Sequence, residues 1–513
     1  AWTEPQRVTE RRTPHVACYF NRGIVATQWV ARALEEVPGS AQQQKMTEVI
    51  ASPGNPLRDR LAGHLKEAML KLLEDPPGPV YAALYELNDP ELIGALKKLG
   101  KGANLVLANG AFSSKRRDEN APVRADLRPV INLFDRLVSS GHFAHNKFVV
   151  FCDADGKAQQ VWTGSTNWTV TGLCTQANNG LLLDDADVAG AFKDEWDRIH
   201  RAGNDFPSTL VKANSQPRTF EVDGGQVSVW FTPTDEQEDL QQARTLINAA
   251  QDGILFLMFN PGGFQDDPDR WTLLQSILNR HEPESNPHYD GSLYIHGVVN
   301  QPIARLAEDP TVSPAEAGPP AADELDPAAP VHPVVLFQGS AAVPMRGTQE
   351  VLVPAAIKQR FANWIPELKR ESIAMVHSKV IVLDPFGKHP VVMTGSHNMG
   401  PKASAKNDDN LVIVEGNAAL AQAYAVNIIA IYQNYQWRLY AGQHPANEAW
   451  SHLEDTDTWQ DGHLKGWRGD ELAFWLGAAA PAAPPPAARG KAARGAAAQG
   501  QPKKPKRPTK KKG

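Results

Sequence analysis

Two segments of this chain are near copies of one another, and any fold it adopts has to accommodate both. The first runs His145-Asn146-Lys147-Phe148-Val149-Val150, followed by Gly164-Ser165-Thr166-Asn167. The second runs His377-Ser378-Lys379-Val380-Ile381-Val382, followed by Gly395-Ser396-His397-Asn398. The His-to-Asn spacing is 22 residues in the first copy and 21 in the second. A His and a Lys one residue apart, at the head of an apolar run, share one face of a β-strand. The Ser and Asn follow a second apolar run and are expected at the end of an adjacent strand. Two such copies supply both halves of an acid–base pair around a single anionic group.

The repetition reaches beyond these motifs. Residues 16–20 and 227–231 read as short strands, each ahead of a helical stretch, near 60–74 and 236–250. Apolar strands follow at 80–85 and 254–259, then helices near 90–98 and 270–280, then strands at 104–107 and 292–296. Helices near 126–138 and 353–364 are expected to lead into the two His/Lys strands. Strands alternating with helices imply α/β layering, and the doubled pattern implies two similar lobes. The expected organisation is a first lobe over 1–205, a linker over 206–220 and a second lobe over 221–476. Pro207, Asn214 and Pro217 break the pattern at the linker, and a Pro-rich insertion occupies 308–333.

At 513 residues the chain exceeds what one hydrophobic core usually serves, which agrees with more than one lobe. Its net charge of −6 hides an asymmetry. Residues 477–513 carry ten basic side chains and no acid; without them 42 basic residues face 58 acidic ones, a net of −16. An acidic body with a basic, Pro/Ala-rich tail reads as a folded enzyme with a disordered polycationic appendage. Such a tail would bind phosphates, on anionic lipid or on nucleic acid. Cys18, Cys152 and Cys174 have no metal-ligand spacing and read as buried apolar residues. No apolar run approaches the ~18 residues of a membrane span, and no signal-peptide pattern is seen. A cytoplasmic or peripheral protein is expected, with secretion left open because the chain starts Ala1-Trp2 without Met.

The paired motifs resemble those of the phospholipase D superfamily, His-x-Lys-x4-Asp followed by Gly-Ser-x-Asn. The second copy matches throughout, with His377, Lys379, Asp384, Gly395, Ser396 and Asn398. The first copy has Cys152 in the acid slot and Asp153 one residue later, so a bulge is expected that lets Asp153 serve. The resemblance implies an α/β fold of two phospholipase D-like lobes, each a mixed sheet flanked by helices, pseudo-twofold related, with the active site between them. It also implies a phosphoric diester hydrolase that needs no cofactor or metal and is active as a monomer.

In that chemistry one His attacks phosphorus and gives a covalent phosphohistidine, while the other protonates the leaving oxygen and then activates water. Lys147, Lys379, Asn167 and Asn398, with Ser165 and Ser396, would hold the non-bridging oxygens. Family members carry an acid about eleven residues beyond the motif Asn to orient a histidine. Counting reaches Asp409 in the second copy and Asn178 in the first, which places the carboxylate behind His377 and an amide behind His145. Family habit makes the first His the nucleophile; Asn178 argues against it. His142, His397 and Trp168 read as structural, and Asn179 and Asn410 as satisfying backbone groups. The substrate is a phosphodiester, phospholipid or nucleic acid. The leading reading is hydrolysis or transphosphatidylation of phospholipid headgroup esters. The alternatives are a metal-independent endonuclease using the same histidines, and an inactive scaffold that binds nucleic acid or anionic membrane.

Overall fold

The computed structural model describes residues 10–23, 42–111, 118–281, 287–300, 334–339, 349–351, 376–443, 456–464 and 466–477. The Pro-rich stretch 308–333, the helix expected at 353–364 and the basic tail from residue 478 onward lie outside these residues.

Two large mixed sheets carry the chain. The first has spatial order β1 (Glu10–Arg12), β2 (Val16–Phe20), β9 (Asn179–Leu183), β8 (Ala158–Gly164), β7 (Lys147–Cys152), β3 (Val80–Leu84), β4 (Ala103–Ala108) and β5 (Asn132–Arg136). The second runs β10 (Arg218–Val222), β11 (Gly225–Phe231), β19 (Asn410–Glu415), β17 (Val391–Gly395), β16 (Val380–Leu383), β12 (Gly253–Met258), β13 (Tyr294–Val299), β14 (Val334–Gly339) and β15 (Gln349–Val351). From β2 to β4 and from β11 to β13 the two sheets repeat the same order and the same pattern of strand directions. The likeness ends at the next strand, because β5 is parallel to β4 while β14 is antiparallel to β13.

The strands are apolar on both faces, as in Lys147–Cys152 and Gly253–Met258, where every residue is buried. Double-faced burial follows when helices cover both sides of a sheet. The outer face of the first sheet is covered by Pro56–Glu74 and its neighbours, and that of the second by Glu238–Ala249 and Leu273–Asn279. The helices Ala186–Ala202 and Ala418–Gln443 follow the last strand of each repeat. They pack between the inner faces, in a core shared by both sheets. Asp185 caps the first of these helices and Gly203 ends it with φ +61°, a conformation glycine adopts freely.

The helix expected over 126–138 is corrected. A shorter helix, Ala121–Leu127, is followed by strand β5 over Asn132–Arg136. Pairing with β4 satisfies that backbone, and Asp135 ties the strand to the helix through Arg124 and Arg128. Among the described residues, no helix is long and apolar enough to cross a membrane. The three cysteines are buried and free.

A third, minimal sheet joins the repeats. Strand β6 (Phe143–Ala144) pairs in parallel with β18 (Asn407–Asp408), immediately before His145 and immediately before Asp409. A single bridge between Ala177 and Val376 does the same before Asn178 and His377.

Candidate active site

The two bridges bring the motif copies together at the line where the repeats meet. His145 N–H donates to Asp408 C=O, and His377 N–H donates to Ala177 C=O, at 2.8 and 3.0 Å. Each histidine is therefore held by backbone from the other half, and the residue next in line reaches its ring. His145 Nδ1 lies 2.8 Å from Asp409 Oδ1, and His377 Nδ1 lies 2.9 Å from Asn178 Oδ1. This reverses the pairing counted from the sequence: the carboxylate stands behind His145 and the amide behind His377. The eleven-residue offset identifies the right residues, but the orienting group crosses to the other half.

Ser165 and Ser396 are also reassigned. Ser165 Oγ donates to Asn178 Oδ1 and Ser396 Oγ donates to Asp409 Oδ1, at 2.8 and 2.7 Å, and each hydroxyl accepts a backbone N–H from the strand beside it. Both are fully buried and serve the residues behind the histidines, so they do not face a substrate oxygen. The preceding glycines permit this approach. Gly164 and Gly395 have φ +137° and +142°, and a Cβ would sit 2.4 and 2.3 Å from the carbonyls of Asn179 and Asn410.

Lys147 and Lys379 each donate to the carbonyl of the histidine two residues earlier and lie over an aromatic ring, Tyr85 at 5.0 Å and Phe259 at 4.7 Å. The same rings pack against His145 and His377. Lys379 Nζ also lies 3.2 Å from His377 Nε2. Asn167 and Asn398 end the motifs with a buried amide oxygen that has no protein partner.

Electrostatically the site is short of negative charge. Burial pushes the His145 imidazole down to about 4, reinforced by Lys147 and partly offset by Asp409. Burial and then Lys379 and Lys147 push His377 well below its ordinary value. Burial and Lys147 likewise lower Lys379, against which Asp409 and Glu86 act. Asp409 is raised by burial but held below the usual carboxylate range by His145, His397 and Lys147. Both imidazoles are thus neutral near pH 7, and a bound anion would relieve the repulsion among the cations.

The motif acids play another part. Asp384, at the far end of β16, accepts from the backbone N–H groups of Gln251, Asp252 and Gly253, where β12 begins. Cys152 occupies the matching position at the end of β7, and burial pushes its thiol up to about 11. A β-bulge does fall between Phe151 and Cys152. Asp153 nonetheless turns to its own hairpin, accepting from Asp155 N–H, Lys157 N–H and Gln159 Nε2, so it does not take the place of Asp384.

Asn179 and Asn410 reach across the repeats, to Thr394 and Tyr424 in one case and to Asn146 in the other, and Thr163 donates to Asn410 Oδ1. They link side chains of opposite halves, where the sequence pointed to local backbone. His142 binds Lys406 C=O and stacks on Phe206; His397 is buried with its Nε2 3.1 Å from Asp239 Oδ2; Trp168 packs in the core of the first repeat. Residues the sequence reading missed are Glu86, whose Oε2 accepts from Asn167 Nδ2 at 2.5 Å, and Asp408, which with Arg136 braces β18. Repetition could not reveal them, since Glu86 is answered by Asn260 and Asp408 by Ala177 in the other copy.

A family model described as cardiolipin synthase, PLD-like domain, matches residues 342–431, the span that holds the complete second motif. Over that span the chain is phospholipase D-like. The match falls on the copy with a regular motif and leaves out the one carrying Cys152. Among solved structures the chain is similar to phosphatidylserine synthase from Haemophilus influenzae, at 11% identity over 81% of this chain and 93% of that one, with a TM-score of 0.47. It is similar to polyphosphate kinase from Porphyromonas gingivalis, at 12% identity over 69% of this chain and 42% of that one, TM-score 0.38. The phospholipase D family member Nuc from Salmonella typhimurium aligns at 16% identity over 28% of this chain and 90% of its own, TM-score 0.22. No curated protein matches by sequence.

Proposed function

We propose that the chain is a phospholipase D-type phosphodiesterase that cleaves phospholipid headgroup esters through a phosphohistidine on His145. The observation that carries the assignment of His145 is its contact with Asp409. A carboxylate on Nδ1 fixes the tautomer with Nε2 unprotonated, and burial keeps the ring neutral, as a nucleophile requires. Asn178 is oriented by its Nδ2 donating to Gly172 C=O, so it presents Oδ1 to His377 and likewise leaves His377 Nε2 towards the site.

In the first step His145 Nε2 forms a bond to phosphorus and the bond from phosphorus to the headgroup oxygen breaks. His377 supplies a proton to that oxygen. It is neutral in the free enzyme; the negative charge of a bound diester raises its proton affinity, so Nε2 takes up a proton from solvent on binding and passes it to the leaving oxygen. In the second step His377 takes a proton from water, the oxygen of which displaces His145 from phosphorus; an alcohol in place of water gives headgroup transfer. Lys147, Lys379, Asn167 and Asn398 surround the non-bridging oxygens and offset their charge.

The test is a parallel assay with EDTA present, on phospholipid vesicles and on plasmid DNA, for the wild type, His145→Ala and His377→Ala. Headgroup release that falls by at least about 10³-fold in both variants is expected. Mass spectrometry of quenched enzyme should place the adduct on His145. DNA nicking without headgroup release would replace the lipid reading with a nuclease. An adduct on His377 would reverse the roles.

A further inference from the structure

Besides the Asp409 and Asn178 that orient the histidines, the two halves of the site differ in a second charge. After strand β3 the chain reads Tyr85-Glu86, and at the equivalent point after β12 it reads Phe259-Asn260. The aromatic rings correspond, each lying against a motif histidine and under a motif lysine. The next residue does not correspond. Glu86 is partly exposed, and its carboxylate is bound to Asn167, one of the amides that face the phosphate. Its charge also reaches Lys379, which sits 3.2 Å from the Nε2 of His377, the proposed proton donor to the leaving group.

A carboxylate beside a phosphate site opposes binding of the phosphate itself. It becomes favourable when the substrate carries a cation close to its diester. Resting on the reading of His377 as the leaving-group acid, we propose that Glu86 is a specificity-determining residue that selects headgroups bearing a primary ammonium. Two observations narrow the chemistry. Lys147 already lies over Tyr85, which is almost fully buried, and Lys379 over Phe259, so a quaternary ammonium would have to compete with a cation at each ring. A carboxylate gains most from a cation with N–H donors, through charge-assisted hydrogen bonds. The acidic body, at −16 over residues 1–476, adds to the preference for a zwitterion over a polyanion.

The experiment uses the full chain and Glu86→Gln, with headgroup release measured from vesicles doped equally with phosphatidylethanolamine, phosphatidylcholine or phosphatidylglycerol. The wild type should favour ethanolamine by about tenfold in kcat/KM over the other two, and the variant should lose most of that ratio. An equal loss on all three headgroups would show that Glu86 only holds Asn167; the inference would then fall while the lipid reading stood. DNA nicking with no headgroup release would remove the reading and the inference together. Should the variant fail to fold, wild-type hydrolysis of bis-(p-nitrophenyl) phosphate provides a second measurement. Free ethanolamine should inhibit at about tenfold lower concentration than choline, and equal inhibition would overturn the proposal.

Discussion

The crossing of Asp409 to His145 sets what each histidine can do. A neutral ring that donates Nδ1–H to a carboxylate keeps its other nitrogen nucleophilic, and the growing positive charge on attack is offset by Asp409. Asp409→Asn should therefore reduce kcat by about 10²–10⁴-fold with the fold retained, since the amide can hold the wrong tautomer. It also removes the group that raises the His145 pKa, so the acid limb of kcat/KM, at about 4 in the wild type, should move to lower pH. Asn178→Asp does the opposite for His377. A carboxylate on its Nδ1 raises its pKa, so the acid form persists to higher pH and the basic limb should shift upward. A pH–rate series on a soluble diester checks both; limbs that stay in place would refute these contacts as the orienting ones.

In the strands and their connections, two residues in equivalent slots have parted. Asp384 accepts from the amides of Gln251, Asp252 and Gly253 and fixes where β12 starts relative to β16. Cys152 has no such capacity, and there its own N–H donates to Pro79 C=O. Asp384→Ala leaves the buried Gly253 N–H unmet and two half-buried donors to water, and should cost about 1–3 kcal/mol in urea unfolding, with kcat changed by less than about threefold. A large loss of kcat without loss of stability would mean that the motif acid acts in the chemistry. The strand β5 teaches a related lesson. Its apolar residues fit a helix or a strand equally well over so short a span, and only the open edge of β4 decides between them.

The site exists only where the two repeats meet, so what holds them together also holds the chemistry. Arg136 binds Asp408 through two hydrogen bonds of 2.8 and 2.9 Å, with both side chains almost fully buried, and also reaches the carbonyls of Gly203 and Asp205. Arg136→Met strands a buried carboxylate beside Asp409 and should cost about 3–5 kcal/mol, whereas Arg136→Met with Asp408→Asn should recover part of it. Chemical denaturation of both variants checks this, and a double variant no better than the single would rule out charge burial as the cause.

The doubled motif, the alternation of strands and helices, and the identities of the histidines, lysines and orienting residues are all legible in the chain, because they depend on local period and spacing. Which half orients which histidine is not. Asp409 and His145 meet through β6 and β18, and Asn178 and His377 through the Ala177–Val376 bridge, between segments more than 190 residues apart. Pairing of that kind is selected by the packing of two sheets around shared helices, and no local pattern in either segment encodes it. The tertiary structure alone decides that each repeat completes the other's active group.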